Sequence, residues 1–152
     1  MTQDMMSDRP AFMRQFLHDF FGIGWLSKPV SSATLDWAWN MTMQAGLRPT
    51  LKAAEAFSST DFRADLPAFK VPTLIIHGTS DTTVPIDPTA RMAAAMISDV
   101  RLVEYAGAPH GLFETDRDRL ISDLMAFLNG EEPRSQDEET FVINPALPMG
   151  GY

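Results

Sequence analysis

A chain of 152 residues that is 45% hydrophobic has the size of one ordinary domain and enough apolar content for a sizeable core, which excludes a disordered polymer. With 12 basic against 20 acidic residues the formal charge is −8, so neither nucleic acid nor an anionic membrane surface is an expected partner. The absence of cysteine excludes disulfides and thiolate metal sites, and the acidic start Met-Thr-Gln-Asp-Met-Met-Ser-Asp-Arg lacks the apolar segment of a secretory signal, so a cytoplasmic chain is expected.

From Arg9 to Leu47 the apolar residues recur at helical spacing: Phe12, Phe16 and Phe20, widened by Leu17 and Phe21, then Leu35, Trp39 and Met43. The pattern predicts two or three short helices, the first interrupted at its end by Gly22 and Gly24, the second capped by Ser31 or Ser32. The aromatic residues Phe12, Phe16, Phe20, Phe21, Trp25, Trp37 and Trp39 are read as rings packed against the rest of the fold. A membrane-surface helix would carry several Lys or Arg on its polar face, and no apolar run approaches the roughly 18 residues of a membrane span.

A further helix is predicted from Pro49 to Ala56, leading into the caps and turns of Ser59-Thr-Asp-Phe-Arg-Ala-Asp-Leu-Pro67. Thr73 to His77 is a nearly continuous apolar run between Pro72 and Gly78, the pattern of a strand buried on both faces of a parallel sheet. Pro88 to Ile97 reads as a helix with Pro88 in its first turn, Asp99 to Tyr105 as a second strand, and Ala106 to Gly111 as a loop. Thr115 to Leu128 reads as an amphipathic helix capped by Thr115, with Leu120, Leu124, Phe127 and Leu128 inward and Asn129-Gly130 as its stop.

The chain thus divides into a helical segment (1–60), a β-α-β-α unit (61–130) with the right-handed crossover of a parallel sheet, and an acidic tail (131–152). The tail holds Glu131, Glu132, Asp137, Glu138 and Glu139 against Arg134 alone, and its apolar patch Phe141-Val-Ile143 is a candidate for docking on a partner or on the chain's own sheet. Two parallel strands are too few, because strands apolar on both faces need neighbours to pair their edges and cover their faces. The remaining strands are expected from another polypeptide, or from a longer fold of which this chain is the C-terminal portion.

In open parallel sheets, catalytic groups gather at the carboxyl ends of the strands. Asp81 follows the first predicted strand and His110 the second, so one β-α-β unit delivers both to one edge. A carboxylate beside an imidazole fixes its tautomer and stabilises the imidazolium that forms when it takes a proton. Gly78 permits a sharp exit from the strand, and Gly107, Pro109 and Gly111 constrain the His110 loop. His77 is read as a structural residue at the strand end and His18 as partly exposed or locally satisfied. Ser80 lies beside Asp81 but lacks the strand-turn-helix context of an activated serine. There is no Gly-x-Ser-x-Gly turn among the 152 residues, nor an HExxH, GxGxxG or Walker pattern.

His77-Gly-x-x-Asp81-x-x-Val-Pro85 followed by Pro109-His110-Gly111 resembles the C-terminal part of the α/β-hydrolase fold, and Phe62–Pro85 with Gly107–Phe127 resembles its cofactor-free haloperoxidase and aryl esterase branch. The stretch Ser59–Leu66 resembles the phrase that leads in that branch from the helical cap into the acid-bearing strand. The resemblance implies an α/β fold made of cap helices plus the last two parallel strands and helices of the sheet, with Asp81 as triad acid and His110 as general base. It implies a small-molecule ester or acyl substrate, no metal or organic cofactor, and a perhydrolase side activity in which hydrogen peroxide replaces water. In that fold the order is nucleophile, acid, base, so the nucleophile is expected N-terminal to the cap, on an N-terminal half outside these residues, and the isolated chain is expected to be nearly inactive. The rival expectation is a non-catalytic module that binds a partner or itself through its apolar helices and sheet edge.

Overall fold

Asp8 and Pro10 start the helix on which the N-terminal region is organised. In the computed structural model, which describes residues 2–132, the Asp8 carboxylate accepts from the Ala11 amide and Pro10 occupies the first turn of α2 (Arg9–Phe20). A short helix that the periodicity does not reveal, α1 (Thr2–Ser7), precedes it. The predicted tail beyond residue 132, with the Phe141–Ile143 patch, lies outside the described residues.

The buried stripe of α2 is Met13, Leu17 and Phe21, one position on from the predicted Phe12, Phe16 and Phe20. Those three phenylalanines are half-buried and form a ladder of rings with centroids 6.5 and 5.8 Å apart. Helix α3 (Ser32–Gln44) is capped by Ser31, whose Oγ accepts from the Thr34 amide, and it packs Leu35 and Ala38 against Leu17 and Phe21. Arg9 at the start of α2 donates to the Thr42 and Ala45 carbonyls (2.9 and 2.6 Å), placing a cation where α3 leaves carbonyls unpaired. Not every aromatic packs inward as expected: Trp25 is 91% exposed and Trp37 64%. Trp37 points away because the inward face of α3 is the one carrying Leu35 and Ala38. Helix α4 (Leu47–Ser59) outruns its predicted bounds at both ends, and none of its residues is buried.

Strands β1 (Thr73–Gly78) and β2 (Val100–Tyr105) pair in parallel, in register from Thr73 opposite Val100 to Gly78 opposite Tyr105. Their residues are half-buried, apart from Gly78 and Tyr105, so the expectation of strands buried on both faces fails here. Among the described residues the sheet has these two strands, and a strand is fully covered only when paired on both edges and packed on both faces. The predicted Pro88–Ile97 helix is a π turn (Asp87–Arg91) running into α5 (Met92–Ala94). There Thr89 returns its hydroxyl to the Pro85 carbonyl, and Arg91 reaches both Asp87 and, on β2, Glu104. Among the described residues no helix is long and apolar enough to cross a membrane.

After β2 the chain forms α6 (Leu112–Thr115) and α7 (Arg117–Leu128). Thr115 does not cap α7: it ends α6 and donates to Asp116, which takes the cap position. The inward face of α7 also differs from expectation. Leu120 and Phe127 are half-buried, but Leu124 and Leu128 are 42% and 74% exposed, and the residue wholly buried is Asp123. Asp123 accepts from the Tyr105 hydroxyl at 2.5 Å and lies 3.7 Å from Arg119, whose guanidinium sits 4.0 Å over the Tyr105 ring. Burial, reinforced by the Asp123 carboxylate, pushes the Tyr105 phenol well above its ordinary value, so it remains a donor. This cluster pins the end of β2 to α7.

Replacing Asp123 by Ala would leave a buried hydroxyl without its acceptor. A loss of about 3 kcal/mol is expected, with Tyr105→Phe costing about 1.5–3 kcal/mol, both read from urea midpoints. Asp36→Ala, which removes an exposed 3.4 Å pair with Arg14, should shift the midpoint by less than about 0.5 kcal/mol.

Candidate active site

Two loops leave the carboxyl ends of adjacent parallel strands and run together from their first residues. The Thr79 amide donates to the Tyr105 carbonyl (2.9 Å), the Ser80 amide to the Ala108 carbonyl (3.0 Å), and the Gly107 amide to the Thr79 hydroxyl (2.8 Å). Gly107, at φ +72°, takes a left-handed turn that a side chain would strain. Gly78 is required by proximity: a Cβ there would lie 2.1 Å from the Ala108 carbonyl oxygen.

The third wall is the end of α2. The Gly111 amide donates to the Phe20 carbonyl at 2.7 Å, and Phe20 sets its ring edge-on to the His110 ring, with centroids 4.8 Å apart. The contact to α2 has no cue in the helical periodicity; its signal is glycine, with Gly22 at φ +66° beneath Pro109 and Gly111 against the Phe21 ring.

The structure brings the two sequence-predicted residues together. His110 Nδ1 lies 2.7 Å from Asp81 Oδ2, across 29 residues of chain. Asp81 Oδ1 accepts from the Thr83 and Val84 amides at 2.9 and 2.7 Å, so both carboxylate oxygens are engaged although the side chain is only 2% exposed. His110 keeps 34% of its side-chain surface, so the pair has a dry end and a wet end. Because a carboxylate only accepts, the shared proton sits on Nδ1 and Nε2 is left as the ring's basic nitrogen. Chemically, the arrangement can take a proton from a group approaching its exposed side and hold the resulting imidazolium against a fixed carboxylate.

His77, Thr79 and Phe20 belong to the same cluster; in the sequence His77 reads as structural and Phe20 as part of a helical stripe, and Thr79 carries no signal of its own. Ser80 contributes its amide to the loop contact, and His18, partly buried on α2, accepts from the Ile23 amide through its carbonyl. Upstream, the Ser59–Leu66 stretch closes on itself: Asp61 accepts from the Arg63 amide and guanidinium, which holds its carboxyl at about 2. An apolar cleft of about 430 Å³ lies between this stretch, β1 and the π turn, lined by Phe62, Leu66, Ile75 and Met92; it touches His77 but neither Asp81 nor His110.

Residues 43–118 match the family described as serine aminopeptidase, S33. The chain belongs to the α/β-hydrolase superfamily. Within this superfamily it is similar to a non-heme chloroperoxidase of Kitasatospora aureofaciens, 33% identical over 82% of this chain and 46% of the relative. It is also similar to a bifunctional esterase/perhydrolase of Acinetobacter calcoaceticus, 34% identical over 75% of this chain and 43% of that protein. The crystal structure of a bromoperoxidase from Bacillus anthracis superposes with a TM-score of 0.81 at 36% identity, covering 84% of this chain and 46% of the other. An esterase from Exiguobacterium antarcticum superposes at 0.76 with 27% identity over the same shares. The chain therefore spans about half the length of the α/β-hydrolases it matches and corresponds to the C-terminal part of their fold.

Gly78→Ala forces the Ala108 carbonyl, a backbone atom, to retreat. The variant should lose at least about 2 kcal/mol in a denaturant titration and should separate His110 from Asp81, seen as a changed His110 imidazole resonance.

Proposed function

We propose that this chain supplies the acid and base of a serine-type carboxylic ester hydrolase whose nucleophile and oxyanion hole lie on polypeptide outside these 152 residues. The observation that carries the reading is the 2.7 Å contact between Asp81 and His110 Nδ1, with the other carboxylate oxygen locked by two amides. In the assembled enzyme the serine oxygen attacks the ester carbonyl while His110 Nε2 takes its proton. The proton then passes to the departing alkoxide, leaving an acyl-serine. Water, or hydrogen peroxide, is deprotonated by His110 in turn and attacks the acyl carbon, releasing acid or peracid and restoring the serine. Asp81 keeps the Nδ1–H tautomer and offsets the imidazolium charge in both steps. The esterase/perhydrolase and the non-heme chloroperoxidase to which the chain is similar support this substrate class. Helices α2 to α4 would form most of a cap over the acyl group, and no metal or organic cofactor enters either step.

One observation is shared with a second reading. Ile121, Leu124, Met125 and Leu128 lie at helical spacing along α7 and are 42% to 74% exposed, an apolar stripe that calls for a covering partner. The same stripe serves either the missing half of the sheet or self-association of a non-catalytic module. A discrete dimer of the chain alone in light scattering, refusing a nucleophile-bearing half, would favour the module.

The decisive test is complementation. Co-expressed with the N-terminal half of an esterase relative that carries its serine, the chain should yield a one-to-one complex that hydrolyses p-nitrophenyl acetate. His110→Ala and Asp81→Asn should each lower kcat by about 10³–10⁴-fold. A complex that forms without turnover, or turnover indifferent to His110, would refute the reading.

A further inference from the structure

We infer that His77 is a positioning residue for the Asp81 carboxylate, an inference that rests on reading Asp81 and His110 as the acid and base. His77 Nε2 lies 2.8 Å from the Val84 carbonyl oxygen and 3.2 Å from Asp81 Oδ2, the oxygen that also meets His110. One carboxylate oxygen thus stands between two imidazoles, while Thr83 and Val84 hold the other.

The chemistry of the partners settles the tautomer. A carbonyl oxygen can only accept, so a 2.8 Å contact to Val84 requires the proton on His77 Nε2. That N–H places the positive end of its dipole beside Asp81 Oδ2 and resists rotation of the carboxylate away from His110. It also closes the turn from the strand end to Val84, whose amide in turn binds Asp81 Oδ1. His77 therefore restrains the acid twice, once at the carboxylate and once through the backbone that cradles it. The His77 side chain is 13% exposed, so water competes weakly for these contacts. An apolar residue of similar size would fill the space but leave the Val84 carbonyl unpaired and the carboxylate free to turn.

The test uses the full chain labelled with ¹⁵N-histidine, read by long-range ¹H–¹⁵N correlation and by the low-field proton of the Asp81–His110 hydrogen bond. In the unmodified protein His77 should carry a proton on Nε2, and the His110 Nδ1 proton should appear at low field. His77→Gln, whose amide nitrogen reaches the place of Nε2, should retain that low-field signal. His77→Leu should lose it while keeping the circular dichroism of the native fold. A His77 protonated only on Nδ1 would overturn the inference without any variant, and so would an unaltered His110 signal in the Leu variant. None of these readouts depends on turnover. Failure of esterase complementation with the His77 signals in place would refute the hydrolase reading and leave the positioning contact standing; the reverse result would refute His77 alone.

Discussion

The hydrogen bond between Asp81 and His110 exists because the backbone after β1 and the backbone after β2 are in contact before either side chain is placed. Gly78 has no side chain where the Ala108 carbonyl passes, and this lets the Thr79 and Ser80 amides reach across to the second loop. Parallel pairing in register puts the two strand ends side by side, and the Tyr105–Asp123 contact keeps the end of β2 from shifting on α7. Phe20 then closes over the imidazole from the helical region. Each restraint is modest, but all of them act on two short loops, which gives a carboxylate–imidazole pair a fixed geometry in a sheet of two described strands.

The pair was legible in the sequence because its determinants are local. A short apolar run ending in Gly78 marks the first strand exit, the Gly107, Pro109 and Gly111 loop marks the second, and Asp81 and His110 stand a few residues past the two strands. What was not legible depends on partners distant in the chain. On α7 the spacing of Leu120, Leu124, Phe127 and Leu128 predicts an inward face, yet the buried position is that of Asp123, which Tyr105 can satisfy and which no hydrophobic pattern nominates. The buried stripe beginning on α2 lies one residue on from Phe12, Phe16 and Phe20 for a related reason: Leu17 and Phe21 pack with Leu35 and Ala38 of α3, and Phe16 and Phe20 are left partly buried against that cluster. In the sequence His77 reads only as the end of a strand, and its contact with Val84 appears once the turn after β1 folds back to it.

The half-buried strands, the uncovered α4 and the exposed face of α7 have a common physical origin. A sheet built of strands apolar on both faces reaches its full hydrophobic stabilisation only when neighbouring strands and helices are in place. The described residues organise one edge of a site and leave its opposite side open, which fits a chain matching about half the length of its α/β-hydrolase relatives. In the proposed enzyme the acid, the base and the residue that steadies them belong to this half, and the atom that forms the covalent bond belongs to the other.

The most direct measurement is the intact mass of the purified chain after treatment with a fluorophosphonate. The account predicts no adduct, since among the described residues the side chain hydrogen-bonded to His110 is that of Asp81 and not of a serine. A stoichiometric adduct on one serine, abolished by His110→Ala, would contradict it by showing that these residues build a complete nucleophilic site of their own.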